Sequence, residues 1–398
     1  MEQIPQPSVT DHDKATQYLR ELASRLVELD GSDLFITAGS PPAFKINQEV
    51  LRVGDQKLLP QQTELLVRSI MNDRQAREFD RYHEFNFSLH FPNLARFRVS
   101  AFTQRGSAGM VLRLIKPRIP TIEELNLPSA LKDIVMTQRG LVIFLGGTGC
   151  GKTTSLAAML DYRNSQRREH IITIEDPIEF FHIHKESLVD QREVGVDTES
   201  YELALKNTLR QAPNVIFIGE VRDRETMQYA INFAETGHLC LTTLHANNTD
   251  QAFDRIVNFF PEEKRTQVLM DLSFNMKAFI SQRLVPREDR PGLIPAVEIL
   301  LNTPLMAELI FRGRVKELKP IMTRSGDVGI VTFDNALFKL YEAGQISYET
   351  AIRYSDSAHN LRLRIRLESQ RTPPMVNEAL LQIEEEKKQE EEDKGRPL

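Results

Sequence analysis

The stretch GGTGCGKTT, residues 146–154, has the residue types and the spacing that bind a triphosphate. Gly146, Gly151, Lys152 and Thr153 complete the pattern G-x-x-x-x-G-K-[ST]. Glycines let backbone N–H groups turn toward phosphate oxygens because no Cβ is in the way. The lysine supplies a compact positive charge for the β and γ phosphates, and the threonine hydroxyl ligates Mg²⁺. The stretch therefore predicts a phosphate-binding loop for ATP and Mg²⁺.

The flanking sequence argues against a chance match. The loop stands between GLVIFLGG, which is typical of a buried strand, and TTSLAAMLDYRNSQ, which favours a helix whose positive end points at the phosphates. Cys150 is compatible with the loop because that position contributes mainly its backbone. The residues that we expect to contact nucleotide are Gly146, Gly147, Thr148, Gly149, Cys150, Gly151, Lys152, Thr153 and Thr154.

Carboxylates follow two further apolar runs. Glu220 comes after NVIFI, where an acid can hold the metal or orient the attacking water, so it is a candidate catalytic residue and metal ligand. Glu175, Asp176 and Glu179 lie in TIEDPIE, and Pro177 prevents a helix from continuing there. We expect these acids to cluster at a strand end, where one polarises the attacking water. The alternative for this cluster is a solvated turn.

A histidine and several arginines complete the candidate set. His245 ends the run LCLTTLHA in the same predicted sheet, so we expect a γ-phosphate contact, although a lone histidine is commonly structural. Hydrolysis also needs positive charge, which an arginine from a neighbouring domain or subunit usually supplies. The N-terminal half offers Arg96, Arg98, Arg105 and Arg113, of which the first two share a strand face by their spacing. The alternative is that each arginine is a surface charge.

The pattern of the remaining sequence predicts how these residues are positioned. Apolar runs alternate with helical segments from 131 onward, which is typical of a parallel sheet covered on both faces. The chemistry of such a sheet lies at the carboxyl ends of its strands. Residues 263–283 and 298–312 are expected to form helices beyond the sheet. Residues 332–355 are expected to form a short helix, a turn at Gly344 and another helix.

The N-terminal half shows a helix followed by short β-like runs in two groups, which is an α+β pattern. Three prolines mark a linker after it. The run EEEKKQEEED near the end predicts a solvated helix end or a disordered tail. The expected parts are an arm at 1–14, an α+β domain at 15–115, the linker at 116–130, an α/β core with C-terminal helices at 131–355, and an extension with the acidic tail at 356–398.

The length and composition of the chain limit the classes of function that it could have. A chain of 398 residues is expected to form two domains or more. The formal net charge of −6 gives no general indication of nucleic-acid binding. Cys150 and Cys240 are too few for a disulfide framework or a four-thiolate zinc site, which favours a reducing cytoplasm. We find no apolar run of about 18 residues and no signal-peptide pattern at the N-terminus.

The motifs together resemble those of the type II/IV secretion ATPases. The segments are GGTGCGKTTSLAAML, HIITIEDPIEF, LRQAPNVIFIGEVRDRETMQYAINFAETGHLCLTTLHANN and ISQRLVP, of which the first three look like the Walker A motif, the Asp box, and the Walker B motif with the His box. Within that superfamily the chain resembles the PilT/PilU twitching-motility ATPases, which are retraction motors of type IV pili. GSDLFITAGSPPAFKINQEV and RLIKPRIPTIEELNLP fit this group too, and the resemblance covers about residues 20–370.

This resemblance implies an α/β fold with an N-terminal PAS-like α+β domain followed by a RecA-like P-loop ATPase domain. It also implies a homo-hexameric ring that binds nucleotide between the two domains. Glu179 is then the better catalytic carboxylate of the Asp box, Glu220 is the Walker B acid, and His245 belongs to the His box. Arg98 and Arg113 are the arginines that we expect to reach the nucleotide.

The PilU branch is favoured within this group. The PilU C-terminal region resembles the run TFDNALFKLYEAGQISYETAIRYSDSAHNLRLRIRL. PilT proteins carry the motif AIRNLIREGK near the position of MAELIFRGRVKELKPIM. This chain keeps only the helical and basic character of that motif. Asn214 stands where the family has aspartate, Gly147 replaces a usual proline, and Cys150 replaces a usual serine. The implied function is a pilus-retraction motor that acts with a PilT-type motor and an inner-membrane platform protein, on the cytoplasmic side.

Three alternatives stay open at this point. One is an accessory ring whose hydrolysis is dispensable and which docks on a PilT-type motor. Another is a pilus-assembly or type II secretion ATPase, although those usually carry a longer N-terminal region and a pair of C-x-x-C motifs. The third is a nucleic-acid translocase, which the overall acidity and the lack of an aromatic and basic stripe disfavour.

Overall fold

The computed structural model describes residues 11–46, 49–115, 118–324 and 329–371. Its N-terminal elements are α1 (His12–Glu28), β1 (Asp33–Ile36), β2 (Ala43–Ile46), β3 (Glu49–Arg52), α2 (Pro60–Arg68), α3 (Asp73–Tyr82), β4 (Glu84–Phe91), β5 (Ala95–Gln104) and β6 (Ser107–Ile115). The middle of the chain forms α4 (Ala130–Val135), β7 (Gly140–Leu145), α5 (Lys152–Asn164), β8 (His170–Glu175), β9 (Leu188–Glu193), α6 (Tyr201–Thr208), β10 (Val215–Ile218), α7 (Arg224–Glu235) and β11 (Leu239–Leu244). The C-terminal elements are α8 (Thr249–Asn258), α9 (Arg265–Asn275), β12 (Met276–Pro286), β13 (Leu293–Leu301), α10 (Pro304–Phe311), α11 (Leu318–Arg324), α12 (Phe333–Glu342), α13 (Tyr348–Tyr354) and α14 (Ala358–Glu368).

The chain divides into two compact units. The first contains the part up to Pro120 together with Ile172–Thr208, and the second contains Thr121–Ile171 together with the part from Leu209 onward. The segment Ile172–Thr208 carries the TIEDPIE acids, so these residues group with the N-terminal part of the chain. The domain limits expected from the sequence stay predictions.

A six-stranded antiparallel sheet forms the centre of the first unit. Its strand order is β3-β2-β1-β6-β5-β4. Strand β5 shows why it forms, since Phe97 and Val99 are buried while Arg96 and Arg98 alternate with them on the other face. Helix α1 adds a stripe of buried leucines at helical spacing to the same core.

The segment between β3 and β4 forms two helices. Helix α2 ends at Arg68, and α3 begins at Asp73. Asn72 caps the second helix, because its side chain accepts a hydrogen bond from the backbone N–H of Gln75 at 2.9 Å. The Gln75 side chain in turn accepts from the N–H of Asn72 at 2.9 Å, which completes a capping box. This reciprocal cap starts a new helix and explains the break.

A seven-stranded sheet has the order β13-β12-β7-β11-β10-β8-β9. Strands β12, β7, β11 and β10 pair in parallel, and every residue of β7 and β11 is buried, as expected of strands covered on both faces. Strand β11 lies between β7 and β10. The residues that follow these three strands therefore share the carboxyl edge of the sheet.

The helices expected at 263–283 and 298–312 are partly wrong. Helix α9 ends at Asn275, and the chain continues directly as β12, while the second range begins inside β13. The two strands pair antiparallel from Ala278 with Leu301 to Pro286 with Leu293. Short apolar runs of this kind cannot be assigned to a helix or a strand by periodicity alone. The sheet is consequently mixed, with an antiparallel edge.

The C-terminal helices pack on this edge. Leu361 and Ile365 of α14 share a buried cluster with Phe333 and Leu337 of α12 and with Val285 of β12. The turn expected at Gly344 separates α12 from α13, which confirms the helix–turn–helix prediction. No helix in the described part of the chain combines the length and the apolar character needed to cross a membrane. The acidic run at 384–393 lies outside the described residues.

Helix α5 is anchored at its C-terminal end by a buried arginine. The Arg163 guanidinium donates to both carboxylate oxygens of Glu169, at 2.7 and 3.0 Å. It also donates to the backbone carbonyls of Val135 and Thr137, at 2.5 and 2.6 Å. Four of the five guanidinium N–H groups thus have acceptors, and this buried cation ties α5 to the end of α4 and to the residues before β8.

Candidate nucleotide site

The loop after β7 has the backbone that the sequence predicts for phosphate binding. Gly151 has φ +85°, in the left-handed region that disfavours a side chain. A Cβ on Gly146 would lie 2.4 Å from the Sγ atom of Cys150, so a larger residue there would displace the loop. Gly147 and Gly149 have no neighbouring atoms within 4 Å of the position of a Cβ. The loop is compact at its base and open at its tip.

The lysine of the loop is buried and bonded to the loop itself. Its Nζ atom donates to the carbonyl oxygens of Gly146 at 2.7 Å and Gly147 at 2.9 Å. Helix α5 begins at Lys152, and its N-cap residue, Gly151, provides no side-chain cap. An uncapped helix start next to a lysine and a glycine-rich loop fits a phosphate group, because both provide positive charge and N–H donors. Thr153 and Thr154 belong to this first turn.

Glu220 and His245 lie together at the same sheet edge. The Nε2 atom of His245 is 3.0 Å from Oε1 of Glu220, and Nε of Arg222 donates to Oε2 of Glu220 at 2.9 Å. Burial lowers the pKa of His245 below its ordinary value, and the positive charge of Lys152 acts in the same direction, while Glu220 opposes both. The second unit thus brings Lys152, Glu220 and His245 into electrostatic contact.

The described side chains do not form a metal site of their own. Among them, no group of three or more histidine, cysteine, aspartate or glutamate side chains could hold a metal ion. Mg²⁺ is commonly held by one or two protein oxygens together with substrate phosphates, so this finding fits a metal that arrives with nucleotide. Thr153 and Glu220 stay the predicted protein ligands.

In the first unit, the two candidate carboxylates of TIEDPIE differ in environment. Glu175 ends β8 and is buried, and its Oε1 atom accepts from the Thr173 hydroxyl at 2.6 Å and from Nε2 of Gln191 at 3.1 Å. Burial raises the pKa of Glu175 to about 7. Glu179 and Asp176 are exposed. Glu179 is therefore accessible to a substrate and Glu175 is not, although the catalytic role of either residue stays a prediction.

A third carboxylate, Glu193, was not found by sequence reasoning. It ends β9, where it accepts hydrogen bonds from the Ser88 hydroxyl at 3.2 Å and from the backbone N–H of Ile178 at 3.1 Å. Burial raises its pKa, and the charge of Arg98 partly offsets this. Glu193 lies in the polar run LVDQRE, so no periodic pattern in the sequence distinguishes it from a solvated acid.

The candidate arginines occupy different places in the first unit. Arg98 and Arg113 are directly opposite each other on β5 and β6. Nε of Arg113 donates to Oδ1 of Asp33 at 2.8 Å, across the next pair of strands. The Arg96 guanidinium lies over the ring of Phe181, 4.5 Å from its centroid. These three residues therefore belong to one region of the sheet.

Arg105 lies elsewhere. It occupies the turn between β5 and β6, where it has φ +49°. Most of the length of β5 and β6 therefore separates Arg105 from Arg98 and Arg113.

Comparison with known proteins decides the family. The profile of the type II/IV secretion system protein family matches residues 9–292. The chain belongs to this family. It is 57% identical to the type IV pilus ATPase PilU of Pseudomonas aeruginosa over 350 residues, which is 88% of this chain and 92% of that protein. It is 40% identical to the type IV pilus retraction ATPase PilT of the same organism, over 84% of this chain and 96% of that protein.

A solved structure agrees with these matches. The crystal structure of the pilus retraction motor PilT with bound ADP superposes with a TM-score of 0.80 at 36% identity, over 86% of this chain and 98% of that chain. The predicted resemblance to PilT/PilU-type ATPases, the fold class and the ATPase activity are thereby confirmed. The roles of individual site residues and the use of Mg²⁺ stay predictions.

Proposed function

We propose that this chain is an ATP-hydrolysing motor that retracts type IV pili, that it is PilU-like, and that it acts with a PilT-type motor. The observation that carries the proposal is the cluster of Lys152, Glu220 and His245 at the carboxyl edge of a parallel sheet. The match to a PilU protein over 92% of its length supports the same function. The nearly full-length match favours this function over pilus assembly and type II secretion.

The chain's own residues suit nucleotide hydrolysis. The bonds that Lys152 makes to Gly146 and Gly147 are replaceable by bonds to phosphate oxygens, and the first-turn N–H groups of α5 are oriented by the helix. Thr153 and Glu220 would hold Mg²⁺, which neutralises charge on the phosphates. Glu220 and His245, which lie 3.0 Å apart, can together orient a water molecule.

The other proposed roles rest on the family and on the charges of the residues. Glu179 is the proposed catalytic carboxylate of the first unit, with the buried Glu175 behind it in the same segment. Arg98 and Arg113 supply positive charge for the transition state. We propose that the working form is a homo-hexamer in the cytoplasm, held at the inner membrane by the pilus platform protein.

ATP hydrolysis by the purified protein tests this proposal. We expect Lys152→Ala to lower kcat by roughly 100-fold or more, since removal of one group that stabilises transition-state charge costs this much in other enzymes. Lys57→Ala is the matched control because Lys57 is exposed in the first unit. In cells that lack the gene, wild-type protein should restore twitching and Lys152→Ala should not.

Two outcomes would contradict the proposal. If Lys152→Ala restored twitching fully, hydrolysis would be dispensable, and the accessory-ring alternative would replace the motor function. If the wild-type protein neither bound nor hydrolysed ATP, the nucleotide-driven function itself would be wrong.

A further inference from the structure

Strand β12 places a buried amide beside the phosphate-binding loop. Gln282 is 3% exposed, and its Nε2 atom donates to the backbone carbonyl of Cys150 at 2.7 Å. Its Oε1 atom accepts from the hydroxyl of Ser155 at 2.8 Å. Gln282 therefore connects the loop to the first turns of α5 through a single side chain that comes from a different strand.

The orientation of this amide is determined by its partners. A backbone carbonyl only accepts hydrogen bonds, so the NH₂ group of Gln282 must face Cys150. The carbonyl oxygen of the amide then faces Ser155, which can donate. Both ends of the buried side chain are satisfied in one arrangement, and the flipped arrangement would place two acceptors against each other.

The loop glycines are fitted to Gln282. A Cβ on Gly151 would lie 2.8 Å from Nε2 of Gln282. A Cβ on Gly146 would lie 2.9 Å from the backbone oxygen of Gln282. The two glycines of the G-x-x-x-x-G-K pattern thus leave room for this residue, in addition to allowing the backbone turn.

The contact with Cys150 has a consequence for phosphate binding. In a trans peptide, the C=O and N–H bonds point in opposite directions. With the carbonyl of Cys150 fixed toward Gln282, the N–H of Gly151 points away from β12. Backbone N–H groups of this loop are the donors to phosphate.

We propose that Gln282 is a positioning residue that fixes the Cys150–Gly151 peptide, and through it the nucleotide affinity of the loop. The proposal rests on the proposed ATP-binding function. It assigns to Gln282 an effect on binding of ATP rather than on the chemical step, because the side chain bonds the carbonyl of Cys150 in the loop and Ser155 in α5.

Binding of a non-hydrolysable ATP analogue with Mg²⁺, measured by calorimetry on the full chain, tests the proposal. We expect Gln282→Met, which keeps the approximate shape but has no donor, to raise Kd roughly tenfold, the change expected for loss of about one buried hydrogen bond. Gln282→Glu keeps the acceptor for Ser155 but cannot donate, so it should raise Kd at least as much. Ser155→Ala should raise Kd less, about threefold.

A double-mutant cycle and a control separate this effect from general destabilisation. In Gln282→Met protein, Ser155→Ala should have no further effect on Kd, because the two residues act through one chain of contacts. Ser281→Ala is the matched control. Ser281 precedes Gln282 on β12, is buried, and bonds Glu298 instead of the loop. The Ser281→Ala substitution should lower the melting temperature of the nucleotide-free protein and leave the Kd for the ATP analogue unchanged.

The outcomes are distinguishable. A wild-type Kd in Gln282→Met and in Gln282→Glu would overturn the proposal, as would an equal rise in Kd in the Ser281→Ala control. If Gln282→Met fails to fold, Ser155→Ala decides, since a wild-type Kd there would break the proposed chain of contacts. Failure of the wild-type protein to bind the analogue would instead contradict the proposed function.

Discussion

Nε2 of His245 lies 3.0 Å from Oε1 of Glu220, just beyond the ends of adjacent parallel strands. Because burial and the charge of Lys152 lower the pKa of His245, its imidazole is neutral at neutral pH. A neutral ring that donates from Nε2 has an unprotonated Nδ1. His245 is therefore suited to orient Glu220 or a water molecule rather than to supply a positive charge.

We first predict that His245→Ala lowers kcat roughly 10- to 100-fold, the range for loss of a group that orients a metal ligand. His245→Gln should retain more activity, because its amide can still donate to Glu220. In the wild type, kcat/KM should fall on the acid side, and because the pKa of His245 is lowered the fall should lie below the ordinary histidine value of 6.5. Steady-state kinetics from pH 5 to 8 measure this. An unchanged acid limb in His245→Gln would contradict the assignment.

The buried Glu175 predicts a dependence of stability on pH. Its pKa rises from 4.5 to about 7 on folding, so between these values the folded protein holds a proton that the unfolded chain has released. The free energy of unfolding contributed by this group therefore decreases as pH rises from 4.5 to 7, by about 3 kcal/mol in total. Glu175→Gln removes this dependence and keeps an oxygen acceptor for Thr173 and Gln191.

Urea unfolding at pH 5 and pH 8 compares the two proteins. The variant should be more stable than the wild type at pH 8 and should lose that advantage at pH 5. Glu199→Gln is the control, because that side chain is exposed in the same unit and should leave the pH dependence unchanged. Parallel curves for wild type and Glu175→Gln would show that this carboxyl titrates normally.

Asn214 tests whether the family's aspartate is needed for its charge. Oδ1 of Asn214 accepts a hydrogen bond from the backbone N–H of His170 at 2.9 Å. The backbone N–H of Asn214 donates to the backbone carbonyl of His170 at 2.8 Å. Asn214→Asp keeps the oxygen, so we expect a change in unfolding free energy within about 0.5 kcal/mol. Asn214→Ala should cost about 1 kcal/mol. Thermal unfolding measures both changes. Equal losses of unfolding free energy in the two variants would mean that the side-chain oxygen of Asn214 does not stabilise the fold.

The opposed arginines predict a catalytic effect without a binding effect. We expect Arg98→Gln and Arg113→Gln each to lower kcat at least about tenfold, because each removes transition-state charge. The Kd for nucleotide should change much less. Arg105→Gln, in the β5–β6 turn, is the control and should be silent. A rise in Kd with kcat unchanged would assign these arginines to binding instead.

Sequence reasoning located the parts of the site that depend on local pattern. The glycine loop has fixed spacing, and Glu220 and His245 each follow an apolar run that ends at the carboxyl edge of the sheet. Alternation of apolar runs with helices was enough to place them together. The resemblance then supplied the fold of the N-terminal part.

Features made by distant residues were not predictable in this way. Strand β12 mixes apolar and polar residues without regular alternation, and its identity as a strand depends on pairing with β7 and β13. Glu193 is buried because it meets Ser88, a residue 105 positions away in the chain. The contact of Gln282 with Cys150 spans 132 positions. No local periodicity encodes such contacts.

Helix α5 is fastened at both ends, by Gln282 through Ser155 near its start and by Arg163 near its finish. A helix of 13 residues is about 20 Å long, and its backbone hydrogen bonds make it stiff over that distance. If the loop shifted when it bound a phosphate, the stiff helix would move as a unit and would not bend. Helix α5 is thus a stiff link between the predicted phosphate-binding loop and Glu169, which lies beyond the end of the helix and is held by Arg163, so a displacement of the helix along its axis would reach the residues before β8.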